Sequence, residues 1–312
     1  MDLLQTVAAR ILPSSIWGSL IPAVPLFCAL ASLSQMATLK KYGLTLRKSL
    51  GQHILADDNV AEKIIAGLDI HQDEGVIEIG PGLGALTHRL AALARRVVAV
   101  EIDGRLASAL KAETSDIETT SIVRQNILKV NLGEIVASYP DVARWKVVGN
   151  LPYYITSAIL MHLVESRQHF STALITVQEE FARRLVASPG SKDYSSLSIY
   201  VQYRFKPEML FVIKPTSFFP RPDVRSAVVR LSGLERTPLD VRDEGLFFQT
   251  IRATFGQRRK TLRRSLRQIP GLTPEIMGEL GRMSGVGLNN RPEDISIQEF
   301  ASLANAIKDI IG

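Results

Sequence analysis

Cysteine is almost missing from this chain of 312 residues: Cys28 is the only one. That excludes an intramolecular disulfide and a thiolate-built metal site. Histidine is scarce as well. His53, His71, His88, His162 and His169 are scattered without H-E-x-x-H or comparable ligand spacing, so no metal is expected. Neither an internal repeat nor a low-complexity tract is present, which sets aside solenoid and disordered classes. Charge is missing from residues 11–33, and residues 1–35 hold only Asp2 and Arg10. That stretch is long enough for a membrane span, but Pro13, Pro22 and Pro25 argue against a regular helix, and its start is not basic. Three readings stand for it: upstream sequence taken in by a start assigned too early, a targeting segment, or a membrane-touching tail. On any of them, residues 1–35 are expected to form no part of the core. Acidic residues, finally, are missing from residues 251–267, although that segment carries seven cations.

What is present is an ordinary globular balance, 46% hydrophobic and 22% charged, with a net charge of +6 and a pI near 9.5. The basic excess favours a polyanionic partner if it is clustered. From residue 57 onward, helical and strand-like segments alternate. Asp57 and Asp58 mark the start of a helix with Val60, Ala61, Ile64, Ile65 and Leu68 on one face. Short apolar runs at 76–79, 97–101, 121–124, 146–148 and 172–177 read as strands, separated by helices to about residue 94 and at 106–111 and 157–165. This order predicts a parallel sheet covered on both faces. Residues 197–205 and 224–231 are rich in β-formers and are expected to add an antiparallel pair at the sheet edge. After Gly233 the pattern is helical, with breaks at Pro270, Pro274 and Gly285-Val286-Gly287.

Two stretches carry chemistry. The first strand runs into Gly80-Pro81-Gly82-Leu83-Gly84, a turn that lets backbone approach a ligand closely. Glu101 follows 21 residues after Gly80, at the end of the next strand, where a carboxylate can accept from ribose hydroxyls. Both NAD and S-adenosylmethionine fit that pairing. The spacing G-x-G-x-G, preceded by Glu78-Ile79, is closer to the methyltransferase form than to the dinucleotide fingerprint. Asn126, closing the third strand, is placed to offer its amide oxygen to the adenine amine. The second stretch is Asn150-Leu151-Pro152-Tyr153 at the end of the fourth strand. The Asn150 side-chain oxygen and the Leu151 carbonyl can both accept from one exocyclic amine. Pro152 aims that carbonyl, and Tyr153 offers a stacking face.

Together with Leu50-Gly51-Gln52-His53-Ile54-Leu55, Phe218-Phe219-Pro220-Arg221-Pro222-Asp223-Val224-Arg225-Ser226-Ala227-Val228 and Phe255-Gly256-Gln257-Arg258-Arg259-Lys260-Thr261-Leu262-Arg263, these stretches resemble the ribosomal RNA adenine dimethyltransferases. The likeness is nearest to the kasugamycin-sensitivity group and covers about residues 40–305. It implies a Rossmann-like class I α/β methyltransferase domain over 36–233, with a smaller all-helical RNA-binding domain over 234–312. It implies S-adenosylmethionine held by His53, Leu55, Gly80, Gly82, Glu101, Asn126 and Asn150. Catalysis falls to Asn150, Leu151, Pro152 and Tyr153, with Tyr153 and either Phe218 or Phe219 stacking on the target base. The implied substrate is a pair of adjacent adenosines in a small-subunit rRNA hairpin, on an immature 30S particle, for a monomer acting in the cytoplasm. The sequence departs from the pattern at three positions: Ile54 stands for the usual Phe, Asn126 for Asp and Arg225 for Asp. The amide oxygen of Asn126 is expected to preserve an acceptor.

The cations Arg252, Arg258, Arg259, Lys260, Arg263, Arg264 and Arg267 are expected to meet RNA phosphates, while Ile251, Phe255, Leu262 and Leu266 share one face of a helix. Two other activities remain in view: an RNA-binding assembly factor that needs no turnover, and a large-subunit (23S) rRNA dimethyltransferase of the antibiotic-resistance type.

Overall fold

The computed structural model describes residues 35–47, 50–234 and 239–311. All but the last residue of the charge-poor extension, and the link at 235–238, therefore lie outside the described residues. The described residues begin one residue before the expected start of the core. Helix α1 (Gln35–Lys41) starts at Gln35, whose Nε2 donates to the Leu55 carbonyl at 2.8 Å.

Strand and helix then alternate through α2 (Asp58–Leu68), β2 (Glu74–Ile79), α3 (Thr87–Ala91), β3 (Arg96–Glu101), α4 (Gly104–Glu113), β4 (Thr120–Arg124), α5 (Leu132–Ala137), β5 (Arg144–Asn150), α6 (Thr156–Glu165) and β6 (Thr172–Gln178). The β1 pair, Ile54–Leu55, precedes them and runs antiparallel to β8 (Phe218–Phe219). Helix α2 begins where the sequence marks it: the Asp57 carboxylate accepts from Asn59 and Val60 N–H. The main sheet has the order β4-β3-β2-β5-β6-β9-β7, with β9 (Ser226–Gly233) and β7 (Phe205–Ile213) antiparallel. The chain leaves β2 for β3 on one side and later returns to lay β5 on the other. The C-terminal ends of β2 and β5 thus frame a switch point, where a cleft forms in such sheets. Gly149 is required there, because a Cβ would stand 2.8 Å from the Ile79 carbonyl oxygen. One sheet face buries Ile77, Val98, Val147, Leu163 and Ile175; the other buries Ile64, Leu68, Leu90, Val148 and Leu174.

Residues 197–205 correct the sequence reading. They lie mostly in a helix, α8 (Ser196–Arg204), which follows α7 (Glu179–Leu185), and the edge strand begins only at Phe205. Helix α8 lies between two cores. Val201 joins the sheet core, whereas Ile199 and Tyr203 join that of the C-terminal helices. A helix buried on both sides shows no single apolar stripe, so its β-formers dominate the pattern. The Ser195 N–H donates to Ser198 Oγ at 3.0 Å and fixes its start. Strand β7 is hidden in the sequence by its edge position: its outer residues are exposed, and it tolerates Pro207.

The C-terminal part comprises α9 (Glu244–Phe255), α10 (Leu262–Ser265), α11 (Met277–Ser284) and α12 (Ile297–Ile311), packed around Phe247, Ile251, Leu280, Phe300 and Ile307. Residues 251–267 are not one helix. Helix α9 ends at Phe255 with Gly256 as its cap, and a turn leads to α10. The turn still delivers Ile251, Leu262 and Leu266 to the same core, all fully buried. No helix among the described residues is long and apolar enough to cross a membrane.

Candidate active site

The loop after β2 holds Gly80, Gly82 and Gly84 at φ values of +67°, +58° and +88°, the left-handed region that side chains disfavour. Glu101, ending the neighbouring strand, is 5% exposed. Its carboxylate accepts from the Gly82 N–H at 3.2 Å and from the Asp103 N–H at 2.9 Å. Burial raises its pKa against the pull of those backbone donors. Its remaining lone pairs line the cleft and can accept from vicinal hydroxyls. Gln52 donates to Asp103 at 3.2 Å, so the 50–55 segment is tied to the same rim. The Arg105 guanidinium, 2.7 Å from Asp103, lowers that carboxyl to about 2.

One buried acid has no role in the sequence reading. Glu78 is 2% exposed on the cleft wall and accepts from Thr87 Oγ1 at 2.6 Å. Burial pushes its carboxyl up to about 8, with the nearby Glu101 adding to the effect. An acid set within the apolar run Val76-Ile77-Glu78-Ile79 is the signal that marks it. Gln35, at the opposite lip, also lines the cleft, although its place in the charge-poor stretch sets it outside the expected core.

Asn126 lines the cleft, and its amide oxygen already accepts one hydrogen bond. It caps a 3-10 turn (Ile127–Lys129) by accepting from the Leu128 N–H at 3.0 Å. One of its two lone pairs is thus used by the turn, and the other can still accept. Ile54 replaces an aromatic ring without leaving a gap. It is 6% exposed against Leu39, Leu83 and Leu106. Arg225 has its own local answer, since Glu179 receives it at 2.7 Å and also pairs with Arg183 at 2.6 Å.

At the end of β5, Asn150 lines the cleft and its Nδ2 donates to the His53 carbonyl at 2.7 Å, which leaves Oδ1 as the atom able to accept. The Leu151 N–H donates to Thr176 at 3.0 Å and its side chain is 1% exposed. Among the described residues no donor reaches its carbonyl. Pro152 (φ −59°) then opens a 3-10 turn, Tyr153–Ile155. The Tyr153 hydroxyl meets Ser226 Oγ at 2.6 Å, and its ring lies 5.6 Å from the His53 ring at 25°. His53 Nδ1 donates to the Pro220 carbonyl at 2.7 Å. Leu55 is buried in the wall of the cleft. So is Phe218, at 2% exposure, packed as core beside Ile64; the accessible ring of the pair is Phe219, at 43%. The site thus brings together two acceptors, an aromatic face, a glycine turn and two buried acids.

The basic turn is only partly as expected. Arg258 is half-buried, ion-paired with Glu293 and donating to the Lys192 carbonyl at 2.6 Å, so its charge is answered by the protein itself. Arg252 donates to the Tyr200 hydroxyl at 2.9 Å. Arg259, Lys260, Arg263, Arg264 and Arg267 are exposed. Among the described residues no group of three or more His, Cys, Asp or Glu is arranged to hold a metal.

A family model described as "Ribosomal RNA adenine dimethylase" matches residues 43–309. The chain is 44% identical over 279 residues to the "Ribosomal RNA small subunit methyltransferase A" of Geobacillus kaustophilus (strain HTA426), covering 88% of this chain and 95% of that protein. The protein of the same name from Streptococcus sanguinis (strain SK36) is 43% identical, with coverage of 87% and 95%. Among solved structures, the 23S rRNA methyltransferase ErmE superposes with a TM-score of 0.64 at 26% identity, covering 82% of this chain and 99% of that one. A dimethyladenosine transferase from Plasmodium falciparum gives a TM-score of 0.68 at 23% identity, with coverage of 82% and 98%, and shares the fold.

Proposed function

The chain belongs to the ribosomal RNA adenine dimethylase family, and from that premise we propose that it dimethylates N6 of two adjacent adenosines in a hairpin loop near the 3′ end of small-subunit (16S) rRNA. The observation that carries the reading is the pair of open acceptors at the end of β5, the Asn150 Oδ1 and the Leu151 carbonyl, beside Tyr153. An adenine amine is a poor nucleophile because its lone pair is delocalised into the ring. Two acceptors aimed at its hydrogens draw the nitrogen toward tetrahedral geometry and localise that lone pair on nitrogen, where it can take up a methyl group. The proton leaves the methylated nitrogen afterwards, and no strong base is required. The target base leaves its stack to enter the cleft and rests on the Tyr153 ring.

The donor is S-adenosylmethionine, which supplies the methyl group when bound. The chain's residues fit it: the Gly80–Gly84 turn admits backbone contact, and buried Glu101 has lone pairs for ribose hydroxyls. His53, Leu55, Asn126 and Asn150 complete the proposed cofactor set along the same cleft. The exposed cations of the 259–267 turn are the proposed phosphate contacts, and residues 234–312 the RNA-binding part. Relatives at 39–44% identity carry small-subunit names, against 26% for the large-subunit enzyme, which supports the small subunit over the large. The proposal places the protein in the cytoplasm, acting as a monomer on immature 30S particles.

Asn150→Ala provides the test, read by single-turnover transfer from labelled cofactor to 30S particles. The rate is expected to fall about a hundredfold or more, as for the loss of one preorganised electrostatic partner. RNA affinity should hardly change. A variant as fast as the parent removes Asn150 from the chemistry. A parent protein that binds particles and never methylates them is an assembly factor instead.

A further inference from the structure

Ser226 opens β9 and is 0% exposed. Its backbone is fixed from both sides, opposite Gln178 of β6 and Ile213 of β7, so it cannot shift without breaking the sheet ladder. Tyr153, by contrast, lies in a single 3-10 turn outside the sheet, where two side-chain torsions set the plane of its ring. The two hydroxyls meet at 2.6 Å. This is the short end of the range for an O–H···O bond, and it joins a residue fixed in the sheet to a ring outside it.

We infer that Ser226 is a positioning residue: by holding the Tyr153 hydroxyl it sets the plane on which the target adenine stacks. His53 supports the same ring from one side, at 5.6 Å and 25°, and is itself held by the Pro220 carbonyl. Ring edge and ring back are therefore both fixed before substrate arrives. Stacking needs only the free face, so the hydroxyl is available for orientation while the base keeps its platform. Reaction at N6 depends on the amine lying against the Asn150 and Leu151 acceptors, and a ring that rocks carries the base away from them. The inference rests on the proposed stacking role of Tyr153.

Two variants test it from opposite ends of one hydrogen bond. Ser226→Ala and Tyr153→Phe should each lower the single-turnover methylation rate about three- to tenfold, the usual worth of one such bond. The double variant should be no slower than the worse single one. Cofactor affinity by calorimetry should stay unchanged in all three. A second reading uses RNA with 2-aminopurine at the target position, whose fluorescence is quenched when the base stacks. Both single variants should show less quenching than the parent at saturating RNA, a change that mere loss of stability does not produce. If Ser226→Ala does not fold, Tyr153→Phe alone must show the slower rate and the weaker quenching. Parental rate and quenching in Tyr153→Phe, or fully additive losses in the double variant, overturn the inference. Undiminished quenching in Tyr153→Ala would instead overturn the stacking role itself.

Discussion

At position 126 an amide stands where the family likeness leads one to expect a carboxylate, and the structure gives that one-atom difference a direction. Asn126 Oδ1 accepts from the Leu128 N–H, and a flipped amide would set two donors against each other, so the orientation is determined by chemistry. An aspartate could cap the turn with one oxygen and offer the other to the cleft. The asparagine must serve both from one neutral oxygen, which makes it the weaker acceptor. Asn126→Asp is therefore expected to tighten S-adenosylmethionine binding about three- to tenfold, as for one regained hydrogen bond to a polar group. Calorimetry checks it, and an unchanged Kd would show that this side chain does not reach the adenine. The sequence marked many residues that line the cleft, though not Glu78 or Gln35, and it did not show their hydrogen-bond partners. Nothing in the letters around Asn126 says that a 3-10 turn will claim its oxygen, or that Ser226 will meet Tyr153 from 73 residues away.

The basic turn between α9 and α10 divides its cations by task. Arg258 faces inward to Glu293, whereas Arg259, Lys260 and Arg263 face water. Replacing those three with alanine should weaken RNA binding and lower the magnitude of the log–log salt slope by about 0.7–0.9 for each phosphate no longer neutralised. Arg258→Ala should leave the slope alone and lower Tm. Equal slopes for the two variants would mean that the exposed cations meet no phosphate. Elements of this kind differ in how plainly they are written in sequence. Strands β2, β3 and β5 read directly, because burial on both faces makes them continuous apolar runs. Helix α2 reads directly because one face alone is buried. Helix α8 does not, since two cores take its opposite sides. The 251–267 segment keeps a helical spacing of apolar residues across a turn, so its pattern describes what is buried but not the path of the chain.

Over the whole molecule, the core of the C-terminal helices is not theirs alone. Tyr194, Ile199 and Tyr203, all from the sheet-bearing part, are built into it. The Glu293 carbonyl accepts from the Gly190 N–H at 2.7 Å, and its carboxylate holds Arg258. The cleft and the basic turn are consequently parts of one packed body. Such a body works as a calliper with fixed jaws. On the proposed reading, the span from the exposed cations of the basic turn to the reacting base is set by the fold before any RNA arrives. An RNA whose own folding already presents that span fits at once. A flexible strand with the same adenosines must first surrender its freedom to match the gauge. Methylation of a short single-stranded oligonucleotide is therefore expected to fall far below that of the structured particle in kcat/KM, although every reacting atom is the same. Equal efficiency on both would mean that the jaws are not what measures the RNA.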